Sequence, residues 1–186
     1  MKKLFLIFAA PLLISLNANA LFEIRAGYGV QTPGDQDISA TQNLSSMSGY
    51  NLDAIVEIPM VPVGLGLRYE NMGFDFNQSG VPLESEMQRT SLLVNYRIID
   101  LFLYFGAIGS VGLVNNASVS SPGSATEYKS SMTYSIGVEG GLSLGLMQVG
   151  AEVGYLGANF EEDTNFSAAD LDLSGMYAKI LVGVGF

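Results

Sequence analysis

Hydrophobic and polar residues alternate with a period of two along most of the chain, the pattern of strands that keep one face apolar. In residues 21–31, Phe22, Ile24, Ala26, Tyr28 and Val30 share one face and Glu23, Arg25, Gly27 and Gly29 the other. Next, Tyr50, Leu52, Ala54, Val56 and Ile58 oppose Asn51, Asp53, Ile55 and Glu57, and Val63, Leu65, Leu67 and Tyr69 oppose Gly64, Gly66, Arg68 and Glu70. Leu92, Val94, Tyr96 and Ile98 stand against Ser91, Leu93, Asn95 and Arg97, then Leu101, Leu103, Phe105 and Ala107 against Phe102, Tyr104, Gly106 and Ile108. Tyr134, Ile136, Val138 and Leu142 oppose Ser135, Gly137, Glu139 and Gly141, and Val149, Ala151, Val153 and Tyr155 oppose Gln148, Gly150, Glu152 and Gly154. An eighth stretch runs to Phe186, with Ala178, Ile180, Val182 and Val184 against Lys179, Leu181, Gly183 and Gly185.

The connections alternate as well. Long polar stretches at 32–49, 71–88, 115–131 and 158–172 follow the odd-numbered strands, while short turns at 59–62, 99–100 and 145–146 follow the even ones. This order predicts an all-β, eight-stranded antiparallel up-and-down barrel with every long loop at one end.

Alternation does not say which face is outside. A soluble lipid-binding barrel would turn the apolar face inward around a ligand. The charged face, however, is crowded with glycines, which suits the narrow interior of an eight-stranded barrel, whereas exposed glycines would weaken soluble strands. The aromatics agree: Tyr28, Tyr50, Tyr69, Tyr134 and Tyr155 lie on the apolar face near the long loops, and Phe22, Tyr96 and Phe186 near the short turns. Two aromatic rings around an aliphatic band are what a membrane-spanning barrel places at its two interfaces.

Residues 1–20 combine Lys2 and Lys3, an apolar core and Ala18-Asn19-Ala20, the layout of a cleaved secretory signal peptide. One barrel domain is then expected over 21–186. Without Lys2 and Lys3, 6 basic residues face 18 acidic ones, a formal charge of −12, which argues against a nucleic-acid partner. The chain has no cysteine and no histidine, so no disulfide and no His- or Cys-based metal or nucleophile site is available. No catalytic constellation and no cofactor site is apparent, and no enzyme activity is expected.

The pattern resembles the small eight-stranded outer-membrane barrels typified by the OmpX group and the transmembrane domain of the OmpA group. The terminal Phe186, with Val184, Val182, Ile180 and Ala178 at alternating positions before it, is similar to that family's assembly signal. The resemblance implies an integral protein of a Gram-negative outer membrane, in contact with lipid and lipopolysaccharide and inserted by the barrel-assembly machinery. An even number of strands starting near the cleavage site implies that both mature termini are periplasmic.

Inward positions then carry Glu23, Asp53, Glu57, Glu70, Glu139 and Glu152 beside Arg25, Arg68, Arg97 and Lys179. So many charges in a narrow core require partners. Hairpin arithmetic sets Asp53 opposite Arg68 and Glu139 opposite Glu152, and folding the last long loop brings Lys179 opposite Glu152, where it is expected to bridge both carboxylates. The reading that follows is a surface-interaction barrel with a closed, ion-paired lumen, displaying four acidic loops to an extracellular partner. A small channel through the same lumen is the alternative. Glu161, Glu162 and Asp163 form the one acidic cluster that suggests divalent cations, oxygen-ligated ions that would bridge the loops to anionic lipid.

Overall fold

The computed structural model describes residues 21–33, 42–44, 46–59, 61–78, 81–121, 124–129, 132–162 and 171–186. The expected signal peptide lies outside these residues, as do Asp35, Asp37, Asp163 and Asp170. The strands are β1 (Phe22–Pro33), β2 (Gln42–Leu44), β3 (Met47–Glu57), β4 (Val63–Gln78), β5 (Val81–Asp100), β6 (Leu103–Ser121), β7 (Ser124–Lys129), β8 (Thr133–Leu144), β9 (Met147–Glu162), β10 (Leu171–Asp172) and β11 (Gly175–Gly185). β1, β3, β4, β5, β6, β8, β9 and β11 pair antiparallel in that order, and β11 returns to β1, which closes an eight-membered ring without edges. At the seam, Phe22 and Phe186 exchange two backbone hydrogen bonds of 2.9 Å and their rings stand 5.5 Å apart.

Register fixes the shape. Stepping between paired residues from Glu23 through Ile55, Gly66, Leu93, Ser110, Ser135, Leu156 and Gly175 returns to β1 at Pro33, ten residues along the strand. Eight strands with that stagger tilt by about 40° and give a backbone radius of about 8 Å. Each residue therefore advances about 2.5 Å along the barrel axis. Inward side chains from opposite walls meet at the axis, so the interior is a packed core.

The alternation resolves with the apolar face outward. Ile24, Leu52, Leu67, Val94, Ile136, Val153 and Ile180 are exposed, whereas Glu23, Arg25, Asp53, Arg68, Glu139 and Glu152 are buried. Register shifts in the β5–β6 pair put adjacent residues, Ile98 with Ile99 and Leu113 with Val114, on the outer face together.

Two expectations are corrected. The turn expected at 99–100 falls at Leu101 and Phe102, because the bulge at Ile98 carries β5 on to Asp100, which pairs with Tyr104; Phe102 is consequently exposed instead of inward. The stretches 71–88 and 115–131 are largely continuations of the ladder: Gln78 pairs with Val81 and Ser121 with Ser124. In these extensions the sidedness inverts. Met72, Met87, Ala117, Leu156, Ala158 and Phe160 point inward and are buried, while Gln88, Asn116, Asn159 and Glu161 are exposed. Below the tyrosine ring the barrel is apolar outside, as a membrane demands; above it the barrel is apolar inside, as water demands.

Candidate functional site: the lumen

The lower lumen holds a continuous chain of alternating charges. At the short-turn end Arg97 lies 2.7 Å from Glu23, 3.5 Å from Glu139, 3.6 Å from Glu57 and 3.7 Å from Asp100, with its guanidinium 4.8 Å over the Tyr104 ring. Arg25 continues the chain, 2.5 Å from Glu139 and 3.2 Å from Asp53. Arg68 grips Asp53 through two hydrogen bonds of 2.8 Å and reaches across the axis to Glu152 through two more, of 2.8 and 2.7 Å. Such paired forks are the strongest form of this interaction. Lys179 donates to Glu70 and stands 3.9 Å from Glu152, and Arg89 donates to Glu70 at 2.6 Å, to Thr133 at 2.7 Å and to Ser110 at 2.6 Å.

Several pairs cross the barrel. Arg25 of β1 meets Glu139 of β8, Arg68 of β4 meets Glu152 of β9, and Lys179 of β11 meets Glu70 of β4. The Lys179 geometry corrects one expectation. Glu139 and Glu152 are opposite in register, but their side chains diverge, Glu139 to Arg25 and Arg97, Glu152 to Arg68 and to the Tyr177 hydroxyl at 2.8 Å. Lys179 therefore bridges Glu70 and Glu152, and Glu139 has no need of it.

The inward glycines have a specific use. Gly137 pairs with Gly154 and Gly141 with Gly150 across β8 and β9, which leaves two grooves in that wall. Tyr177 lies against the first, where a Cβ at Gly154 would stand 2.6 Å from its hydroxyl oxygen; Tyr104 lies against the second, where a Cβ at Gly141 would stand 2.8 Å from its ring. The bare backbone thus makes room for two bulky side chains in a narrow interior.

Above the charges sits an apolar cap. Met47, Met72, Met87, Leu156, Phe160, Leu171, Leu173 and Tyr177 are buried together. The chain entering β11 turns in to complete it: Gln31 Nε2 donates to the Leu173 carbonyl at 2.5 Å, Leu173 N–H donates to Ala158 O at 2.8 Å, and Ala158 N–H donates to Ser174 Oγ at 2.9 Å. Ser174 N–H in turn donates to Asp172 Oδ1 at 2.8 Å.

Sequence reasoning missed Arg89, Tyr177 and the cap. Arg89 shares inward parity with Ser91 and Leu93, and that parity was the available signal. Among the described residues no group of three or more His, Cys, Asp or Glu side chains is placed to hold a metal ion. Of the acidic cluster, Glu161 is in register with Lys129, and Asp163 lies outside the described residues. Tyr28, Tyr50, Tyr134 and Tyr155 are exposed, with Tyr69 partly covered 6.3 Å from Tyr50; Tyr96 is exposed and Phe22 half-buried.

A closed antiparallel ring with an apolar outer band, tyrosines along one margin and a filled polar lumen defines the class of small outer-membrane β-barrels. Within that class the chain is similar in fold to the outer membrane protein OprG from Pseudomonas aeruginosa, at 15% identity over 89% of this chain and 95% of that one, with a TM-score of 0.62. Neisserial surface protein A is likewise similar, at 15% identity over 89% and 97% of the two chains and a TM-score of 0.60. A major outer membrane protein from Thermus thermophilus matches at 14% identity over 89% and 99%, with a TM-score of 0.54. No protein-family model and no curated protein matches the chain.

Proposed function

We propose that this protein is an integral outer-membrane barrel that displays acidic loops at the cell surface on a body whose lumen is closed. The observation that carries the reading is the two-layer filling of the lumen, an unbroken ion-pair chain from Asp100 to Arg89 beneath an apolar cap. An ion crossing it must break cation–carboxylate pairs and then enter hydrocarbon, and each step costs several kcal/mol. The chain lacks histidine and cysteine, and the carboxylates of its lower lumen are engaged with cations, which supports a display role over catalysis.

Charge supports the display. The stretches 32–49, 71–88, 115–131 and 158–172 together hold eleven acidic residues and one basic residue, Lys129. Loops on a rigid scaffold commonly carry binding function, and a surface of this sign suits a cationic extracellular partner. In this reading residues 1–20 are removed on export, both mature termini are periplasmic, and the strand ending at Phe186 is what the barrel-assembly machinery engages.

Lys129 supplies the test. It and Lys179 are the only lysines from residue 21 onward, and Lys179 is buried. A membrane-impermeant amine reagent applied to intact cells is expected to modify Lys129, and the new N-terminal amine only after the envelope is permeabilised. Modification of Lys129 only after permeabilisation would invert the orientation and remove the display reading.

A further inference from the structure

The short turns of an outer-membrane barrel face the periplasm, yet the three turns of this chain carry almost nothing polar: IPMVPV, DLFL and LGLM. Leu101 is 64% exposed, Phe102 53% and Leu146 66%, and Pro59, Val61 and Pro62 are exposed as well. The lone charge among them, Asp100, is drawn to Arg97 at 3.7 Å, so its carboxylate is answered from inside the barrel. Gly145 adopts φ 71°, which lets β8 and β9 join through two residues and leaves Leu146 at the tip.

Length gives these turns their environment. Nine residues separate Tyr50 from Pro59 and nine separate Tyr155 from Leu146. Val111, paired with Tyr134, is likewise nine from Phe102. At about 2.5 Å per residue each tip stands about 23 Å from the tyrosine ring. The apolar band of an outer-membrane barrel is about 25 Å tall. On β1 the distance from Tyr28 to Phe22 is only six residues, about 15 Å. Tyr96 lies the same six residues below Thr90, the partner of Tyr69, so these lower aromatics fall inside a band of that height instead of at its margin, and the turns complete it without a break in the apolar surface.

We infer that the three short turns are embedded in the inner leaflet, with phospholipid acyl chains as their partner, and that they anchor the barrel instead of projecting into the periplasm. This rests on the membrane reading above. The surface is continuous with the lipid-facing band, equally apolar and without outward charge, which is the chemistry of hydrocarbon contact.

The chain contains no tryptophan, so single-tryptophan variants report one site each. Phe102→Trp and Leu146→Trp, at two different turns, are compared with Leu65→Trp in the middle of the band and Asn116→Trp beyond the tyrosines. All four are folded into phosphatidylcholine vesicles, with folding verified by heat-modifiable gel mobility. Probes are lipid brominated along the acyl chains and iodide on both sides of the membrane. The turn tryptophans are expected to emit at short wavelength, to lose emission to brominated lipid as strongly as Leu65→Trp, and to resist iodide, while Asn116→Trp shows the opposite pattern. Iodide quenching of both turn variants, with Leu65→Trp still quenched by lipid, would overturn the inference and leave a surface for a periplasmic partner. Loss of lipid quenching at Leu65→Trp as well would overturn the membrane reading itself.

Discussion

At the scale of single residues, the strength of the lumen lies in how its few cations are shared. From residue 21 onward there are six basic side chains, and five of them, Arg25, Arg68, Arg89, Arg97 and Lys179, are buried inside the barrel. They serve seven carboxylates, those of Glu23, Asp53, Glu57, Glu70, Asp100, Glu139 and Glu152, so losing any one cation leaves an acid without full compensation. Lys179→Met leaves Glu70 to Arg89 and Glu152 to Arg68, and is expected to lower unfolding stability by about 3 kcal/mol, read by urea titration in lipid vesicles. Glu70→Gln in that background should recover part of the loss, and Glu139→Gln none, because Arg25 and Arg97 still hold Glu139. Arg68→Met should cost more than Lys179→Met, since Arg68 makes bidentate contacts to both Asp53 and Glu152. The Asp53–Arg68 pair is legible in the sequence because a short turn fixes its register. The pairs across the axis are not, because parity assigns a residue to a face, and only the stagger of ten decides which walls confront each other.

At the scale of elements, the barrel depends on its seam and its cap. Deleting Phe186 removes both 2.9 Å hydrogen bonds to Phe22 and the ring contact beside them. The folded fraction recovered in the membrane is expected to fall, as measured by heat-modifiable mobility; unchanged recovery would mean that the strand is recognised without its last residue. The eight spanning strands were readable because bulky apolar residues hold the outward parity through each of them, while the inward parity carries polar, small or isolated apolar residues such as Ile55, Leu93 and Ile108. Their extensions were not, for a physical reason visible along β5. Tyr96, Val94 and Leu92 face out as apolar residues, but beyond the tyrosine level Gln88 faces out and Met87 in, so the same ladder continues with the pattern reversed. A polar stretch that alternates in the opposite phase reads as a loop unless the change of solvent is anticipated.

At the scale of the whole molecule, charge is sorted along and across the barrel. The lumen is nearly neutral, the outer band and short turns present hydrocarbon, and the long-loop end carries nearly all the remaining acidity. Salt screens the attraction between that end and a positive charge, so a cationic partner should bind more weakly as ionic strength rises. In the proposed function the lumen is shut twice across the membrane, by ion pairs and by the apolar cap. Planar-bilayer recording of the purified wild-type barrel measures this directly. A closed lumen gives a baseline without steady single-channel steps at either polarity, from protein whose folding is verified in the same preparation. Reproducible, long-lived conductance steps from that protein would contradict it and make the charged lumen a pathway.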